Sequence, residues 1–292
     1  MSKHRLSFDQ YQALDAVNMS TLLEIGVSPK HYRHLLANKP KETLAMRVGK
    51  AAHTAILEPM QFLREYVLTP AEFPNAKGEM RPTNGNLKAY KDWRDGQHAD
   101  GKAVLSNDEY ELAERMQDAV RTHRVASQLL RHGEREVSLR WTDPETMTPC
   151  KCRVDWLSAD VVDVKTTRHP TPFAFGRQAG QLNYHTRLAW YHDGVKLALG
   201  EPAEMPRGVF IIAVQNVEPH DVVVYTLPPD VLEAGRKRYR RLLEQLRDCR
   251  ESNYWPGVAE DEVLPLQLPL WDLDGGNAGL GLTMGGEAIS LD

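Results

Sequence analysis

The chain has 292 residues, 41% of them hydrophobic and 26% charged, a globular composition that suits one sizeable core with a decorated N-terminal part. No run of about 18 apolar residues occurs, which excludes a helical membrane span, and the start MSKHRLSFDQ lacks the apolar core of a secretory signal, so a cytoplasmic location is expected. A formal net charge of −4 gives no global attraction to nucleic acid, so any such contact must use a local basic surface.

Residues 1–17 are polar and mixed. Asn18-Met19-Ser20 offers an N-cap for a short helix, Thr21 to Ile25, which Gly26 and Ser28-Pro29 stop. Lys30 to Asn38 reads as a basic helix. A longer helix is predicted from Thr43 to Leu57, where Met46, Gly49, His53 and Leu57 fall on one stripe and Ala45, Val48, Ala52 and Ile56 lie beside it. His53 is therefore on or near the buried face, and Gly49, one turn earlier, would let another backbone approach. A lone histidine in that setting is usually a satisfied core residue; an acidic site elsewhere in the chain makes it a candidate metal ligand.

From Thr69 to Leu105 the chain is rich in Pro, Gly, Asn and Lys, and it reads as an irregular excursion around a short helix, Leu87 to Arg94. Ser106 then caps a helix running to Leu130. The first clear strand is Arg135 to Trp141. Glu136, Ser138 and Arg140 share one of its faces, so Glu136 could reach a site carried by the sheet.

Two strands follow, Cys150 to Leu157 and Val161 to Thr166, joined by a turn at Ser158-Ala159-Asp160. A charge in an apolar strand is costly unless it is paired or binds a metal. Yet Asp155 lies between Val154 and Trp156, and Asp163 and Lys165 flank Val164. Alternation puts Asp163 and Lys165 on one face and Val162 and Val164 on the other, and the turn brings Asp155 near Asp163. Two carboxylates beside a lysine form a hard anionic site suited to Mg²⁺ or Mn²⁺, with an ammonium placed to polarise a water or hold a phosphate. By itself Asp-X-Lys recurs by chance, and an ion pair on a solvated strand is the competing reading. Cys150, Cys152 and Cys249 read as reduced core thiols, since a fourth ligand for zinc or an iron–sulfur cluster is missing.

A helix from Phe173 to Leu199 carries a stripe of Tyr184, Leu188, Tyr191, Val195 and Ala198, with Gln181 and Arg187 at its margins, where they could reach a phosphate. Strands at 208–217 and 221–227 come next. The last helix, Pro229 to Arg250, buries Leu232, Gly235, Tyr239, Leu242, Leu243 and Leu246 and exposes Lys237, Arg240 and Arg241, a basic run that is a solvated face or a DNA contact. The Gly-rich tail from Gly275 is expected to be disordered.

Several stretches now fall in one order: Ser20 with Ser28-Pro29-Lys30-His31-Tyr32, Gly49-Lys50-Ala51-Ala52-His53 with Leu57-Glu58-Pro59, Cys152-Arg153-Val154-Asp155-Trp156, and Asp163-Val164-Lys165-Thr166-Thr167. Tyr184-His185 with Ala189-Trp190-Tyr191-His192-Asp193-Gly194 follow, then Trp255-Pro256-Gly257 and Leu268-Pro269-Leu270-Trp271. In that order the chain resembles the RecE-like exonuclease domain, the C-terminal part of exodeoxyribonuclease VIII and its phage homologues, within the PD-(D/E)XK nuclease superfamily.

The resemblance implies an α/β fold with a restriction-endonuclease-like core: a twisted mixed sheet flanked by helices, behind an N-terminal helical part. One nuclease domain over 1–272 is expected, with the helical part at 1–130, the sheet core and C-terminal helices at 131–272, and a tail at 273–292. The resemblance also implies that His53, Asp155, Asp163 and the Val164 carbonyl hold one or two Mg²⁺ ions, for which Mn²⁺ can substitute, and that Lys165 is the catalytic lysine acting with the two aspartates. Glu136, Gln181, Tyr184, Arg187, Tyr191, Lys237, Arg240 and Arg241 are candidate DNA-binding or supporting residues. The implied activity is 5′ to 3′ digestion of linear double-stranded DNA to 3′ overhangs for a single-strand annealing partner, by a homo-oligomeric ring. A catalytically silent module that binds DNA ends or a recombination partner, and an endonuclease, are the alternatives on this scaffold. One departure stands out: relatives often carry Gln-X-X-X-Tyr after the lysine, where here Arg187 precedes Tyr191 and the glutamine comes earlier, at Gln181.

Overall fold

A computed structural model describes residues 2–4, 6–38, 43–200 and 206–268, together with two short strands at 283–284 and 287–288. Pro269, Leu270 and Trp271 and, those strands apart, the Gly-rich tail lie outside the described residues. The chain divides into two compact units, Met1–Trp255 and Pro256–Asp292.

The first unit runs β1 (Ser2–His4), α1 (Phe8–Ala13), α2 (Met19–Leu22), α3 (Pro29–Ala37), α4 (Leu44–Leu57), α5 (Pro59–Glu65), β2 (Tyr66–Leu68), β3 (Glu72–Pro74), β4 (Met80–Pro82), α6 (Lys88–Ala99) and β5 (Ala103–Leu105). It continues with α7 (Asn107–Thr122), α8 (Arg124–Leu129), β6 (Glu134–Thr142), β7 (Pro149–Leu157), β8 (Val161–Thr167), α9 (Pro172–Gln181), α10 (Tyr184–Leu199), β9 (Val209–Gln215), β10 (Val222–Thr226) and α11 (Pro229–Ser252). Six strands form one sheet in the order β1-β6-β7-β8-β9-β10. All neighbours are antiparallel except β8 and β9, which are parallel and need the long crossover that α9 and α10 supply.

Alternation sends the apolar side chains of this sheet to two cores. Val137, Leu139, Trp141, Cys150, Cys152 and Val154 meet α2, α10 and α11 on one face, at Leu22, Leu188, Trp190, Leu242 and Leu243. Val162, Val164, Ile212 and Val214 meet Ala52 and Leu57 of α4 and Met116 and Val120 of α7 on the other. The chain thus forms the mixed sheet with helices on both faces that the resemblance implies. The three cysteines are free and buried.

Several local expectations are corrected. The helix capped by Ser106 stops at Thr122, because His123 takes an extended backbone and its ring Nδ1 accepts the Ala126 N–H at 3.2 Å, capping a separate helix, α8. The helix expected from Phe173 to Leu199 is likewise two helices, broken at Asn183, whose φ of 56° is left-handed. The excursion at 69–105 is more regular than its composition suggests: β2 pairs with β5, β3 pairs with β4, and Phe73 packs on Tyr90 and Trp93 of α6 at 5.6 and 5.5 Å between ring centroids. Residues 1–17, read as polar and mixed, contain α1, whose Ser7 and Gln10 form a reciprocal capping box. A Cβ at Gly49 would meet only Thr166 Oγ1, at an ordinary 3.7 Å, whereas one at Gly235 would stand 2.4 Å from the His185 carbonyl oxygen. The close helix approach is therefore between α11 and α10.

Candidate metal centre and catalytic site

The site lies where two strands part. β7 and β8 pair at Leu157↔Val161 and Trp156↔Val162, next to their turn, and not beyond. Asp155 is the first residue past the paired stretch, and its Oδ2 accepts the Val164 N–H at 2.9 Å, so a carboxylate satisfies a backbone donor that the ladder leaves over. The same oxygen is 2.9 Å from His53 Nε2, which α4 presents three residues after Lys50. The other ring nitrogen, Nδ1, is 3.3 Å from Glu136 Oε1.

Glu136 sits between two residues of β6 that pair across to β7, Arg135 with Trp156 and Val137 with Val154, and its own φ of 52° is left-handed. For a residue with a Cβ that conformation costs about 1–2 kcal/mol, and it is kept where the surroundings hold it, typically at functional sites. Arg153, two residues before Asp155, pairs with the Glu136 carboxylate. The ligand atoms of His53, Glu136 and Asp155 all lie within 4.8 Å of one another, close enough to serve one metal ion.

Asp163 and Lys165 form the second half. Asp163 is 1% exposed, so its charge needs a partner, and the Lys165 ammonium two residues along the strand stands 2.5 Å from its Oδ2. Lys165 Nζ also donates to the Val164 carbonyl at 3.2 Å and lies 5.5 Å from the Tyr184 ring centroid. Apart from this ion pair, neither Asp163 oxygen has an aligned hydrogen-bond donor. Gln178 braces the floor: its Oε1 accepts from Thr167 Oγ1 at 2.7 Å and its Nε2 donates to the Tyr184 hydroxyl at 3.4 Å.

The charges shift one another. Burial disfavours the His53 imidazolium, but the Asp155 and Glu136 carboxylates outweigh it and raise the ring to about 9. Burial also opposes ionisation of Asp155, yet His53, Lys165 and the Val164 amide hold its carboxyl well below the usual range. Asp163 moves the other way, because burial and the Asp155 charge prevail over Lys165. Lys165 keeps its proton more tightly than a free lysine, since the two aspartates outweigh its desolvation. Arg187 acts on Asp163 and Lys165, and burial raises the Tyr191 hydroxyl far above its ordinary value.

Of the expected ligands, His53 and Asp155 come together, with Glu136 as a third, while Asp163 pairs with Lys165 and the Val164 carbonyl accepts from the same ammonium. Tyr184, Arg187 and Tyr191 reach the Asp163 and Lys165 side. Gln181 is exposed at the end of α9. Lys237, Arg240 and Arg241 line a separate cleft on α11 with Glu145, Glu233 and Glu244, and Arg240 is engaged by the buried Asp143. Two residues escape the sequence reading. Arg153 shares a strand face with Asp155 by simple alternation, a signal that was there to use, whereas Gln178 meets Tyr184 across a helix break that the continuous apolar stripe conceals.

Residues 18–262 match the model of a family described as a PDDEXK-like domain of unknown function (DUF3799). No curated protein matches the chain significantly. Among solved structures, a protein from Eubacterium rectale described provisionally as an exonuclease has a similar fold, with a TM-score of 0.59 and 14% sequence identity over 94% of this chain and 99% of that one.

Proposed function

The chain belongs to the PDDEXK-like family, and from that premise we propose that it is a divalent-metal-dependent deoxyribonuclease that hydrolyses the phosphodiester bonds of double-stranded DNA. The observation that carries this reading is the meeting of His53, Glu136 and Asp155 within 4.8 Å, beside the Asp163–Lys165 pair. One imidazole among carboxylates suits Mg²⁺ or Mn²⁺. Those three side chains would hold the ion, with Asp163 as the further carboxylate at hand. When bound, the ion supplies a charge that polarises a phosphoryl oxygen and acidifies a water.

The chain's own residues do the rest. Lys165, kept protonated by the aspartates, donates from Nζ to the attacking water or to a phosphate oxygen. Tyr184, braced by Gln178, holds the lysine's position. Arg187 takes a phosphate as a cation where relatives use a neutral glutamine. Such contacts grip the backbone and read no sequence.

The finer reading follows the RecE-like resemblance: digestion from linear ends, 5′ to 3′, leaving 3′ overhangs for a single-strand annealing protein in recombination. End-labelled linear duplex and closed circular duplex, each with Mg²⁺, test it. Loss of the 5′ label from linear DNA, sparing of circles, and a drop of at least about 100-fold in Lys165→Ala are expected. Full activity of Lys165→Ala would remove the proposal, and cutting of closed circles would turn it to an endonuclease.

A further inference from the structure

Beside the metal group a large apolar ring stands in water. Phe8, the first residue of α1, is 49% exposed. A single exposed phenylalanine is ordinary, but this one is fixed from three sides. The Ser7–Gln10 capping box sets the start of its helix. The Lys151 side chain closes the other end, its ammonium donating to the carbonyls of Tyr11, Gln12 and Leu14 at 3.0, 3.1 and 2.7 Å. Arg153 Nη1 donates to the Leu6 carbonyl at 3.1 Å.

Two cations border the ring. Lys50 Nζ is 5.6 Å from its centroid and precedes His53 by one helical turn, and the Arg153 guanidinium is 5.8 Å away while paired with Glu136. The ring is thus one side chain removed from the cluster, with positive charge on both sides. An aromatic face accepts any nucleobase, and flanking cations suit the phosphates on either side of it.

We propose that Phe8 is a stacking platform for the terminal base of a DNA end, with Lys50 and Arg153 steadying the adjoining phosphates. It is a positioning residue: it touches the base and not the scissile bond. Bases inside a duplex have no free face, so only an end or a single strand can use this surface. The inference rests on the nuclease reading of the neighbouring site and adds what that reading leaves open, namely how a terminus would be selected.

The test uses the full chain and linear duplex carrying 2-aminopurine at either a terminal or an interior position, with Ca²⁺ for binding and Mg²⁺ for turnover. The wild type is expected to change the fluorescence of the terminal probe and not the interior one. Phe8→Ala should lose that change and bind about ten-fold more weakly, with KM raised about ten-fold and kcat within about two-fold, while Phe8→Trp keeps both signals. Phe8→Leu retains apolar bulk without a π face and should behave like Phe8→Ala, which decides the matter should the alanine variant fail to fold. Wild-type terminal fluorescence and KM in Phe8→Ala or Phe8→Leu would overturn the stacking role. Absence of turnover by the wild type would instead overturn the nuclease reading, and the binding signal would still judge Phe8.

Discussion

Glu136 shows how one side chain can join strain to charge. It holds a left-handed backbone, faces His53 at 3.3 Å and shares Arg153. Its carboxyl is raised by burial and by the Asp155 charge, with His53 and Arg153 pulling the other way. Such a group gains from a divalent cation more than from either basic neighbour, because the doubly charged ion also relieves its repulsion with Asp155. Glu136→Gln should therefore weaken Mn²⁺ binding at least about ten-fold, read by titration calorimetry. Unchanged affinity in a folded variant would put Glu136 outside the ligand shell. Asp155→Asn should lose more, since it removes the charge of the one carboxylate oxygen that faces both His53 and the Val164 amide.

Among the elements, the α10–α11 contact positions the wall that carries Tyr184, Arg187 and Tyr191. Gly235 lets the two helices touch, and a methyl there must displace the His185 carbonyl. Gly235→Ala should cost about 1–3 kcal/mol, seen as a lower urea midpoint with an unchanged slope. The same pair of helices is tied by Asp193, which takes Arg236 Nε at 2.7 Å, Arg236 Nη2 at 2.8 Å and His192 Nδ1 at 2.8 Å, with the Tyr239 hydroxyl as a further donor. Burial opposes its charge, but these donors hold its carboxyl well below the usual range. A carboxyl depressed on folding contributes stability that is fully present above its unfolded pKa of about 4 and is lost as pH falls toward its folded one. Asp193→Asn should thus be less stable at neutral pH and lose less than the wild type between about pH 4 and pH 2. Parallel acid-unfolding curves for the two proteins would sink this account.

On the scale of the molecule, the strands of the sheet and its flanking helices were legible because alternation and helical stripes repeat over many residues, as in Val162 and Val164 against Asp163 and Lys165, whereas the division of one expected core into two is seen only in the structure. Membership in the PD-(D/E)XK superfamily was legible too, through the ordered run of short stretches from Ser20 to Trp271 among which Asp155, Asp163 and Lys165 stand. What stayed hidden depends on register or on single backbone angles. Glu136 was legible as a residue that could reach the site, but its meeting with His53 rests on the register that sets it across from Asp155, and the break at Asn183 interrupts an apolar stripe that reads as continuous. Three-residue strands such as Ala103–Leu105 carry too little pattern to be read at all. With a net charge of −4, the chain has no overall pull on DNA. The homo-oligomeric ring that the family resemblance implies would supply enclosure in place of that pull, and it should appear in light scattering as a species at least three times the chain mass. A monomer at all concentrations would remove it.

The Val164 amide, bonded to an aspartate instead of a strand neighbour, becomes a natural spectroscopic reporter. Its proton resonance should be among the first to move when a divalent ion is added, and its exchange with deuterium should quicken in Asp155→Ala, where residue 155 no longer offers an acceptor oxygen. A single backbone nucleus would then follow occupancy of the centre without any probe being attached.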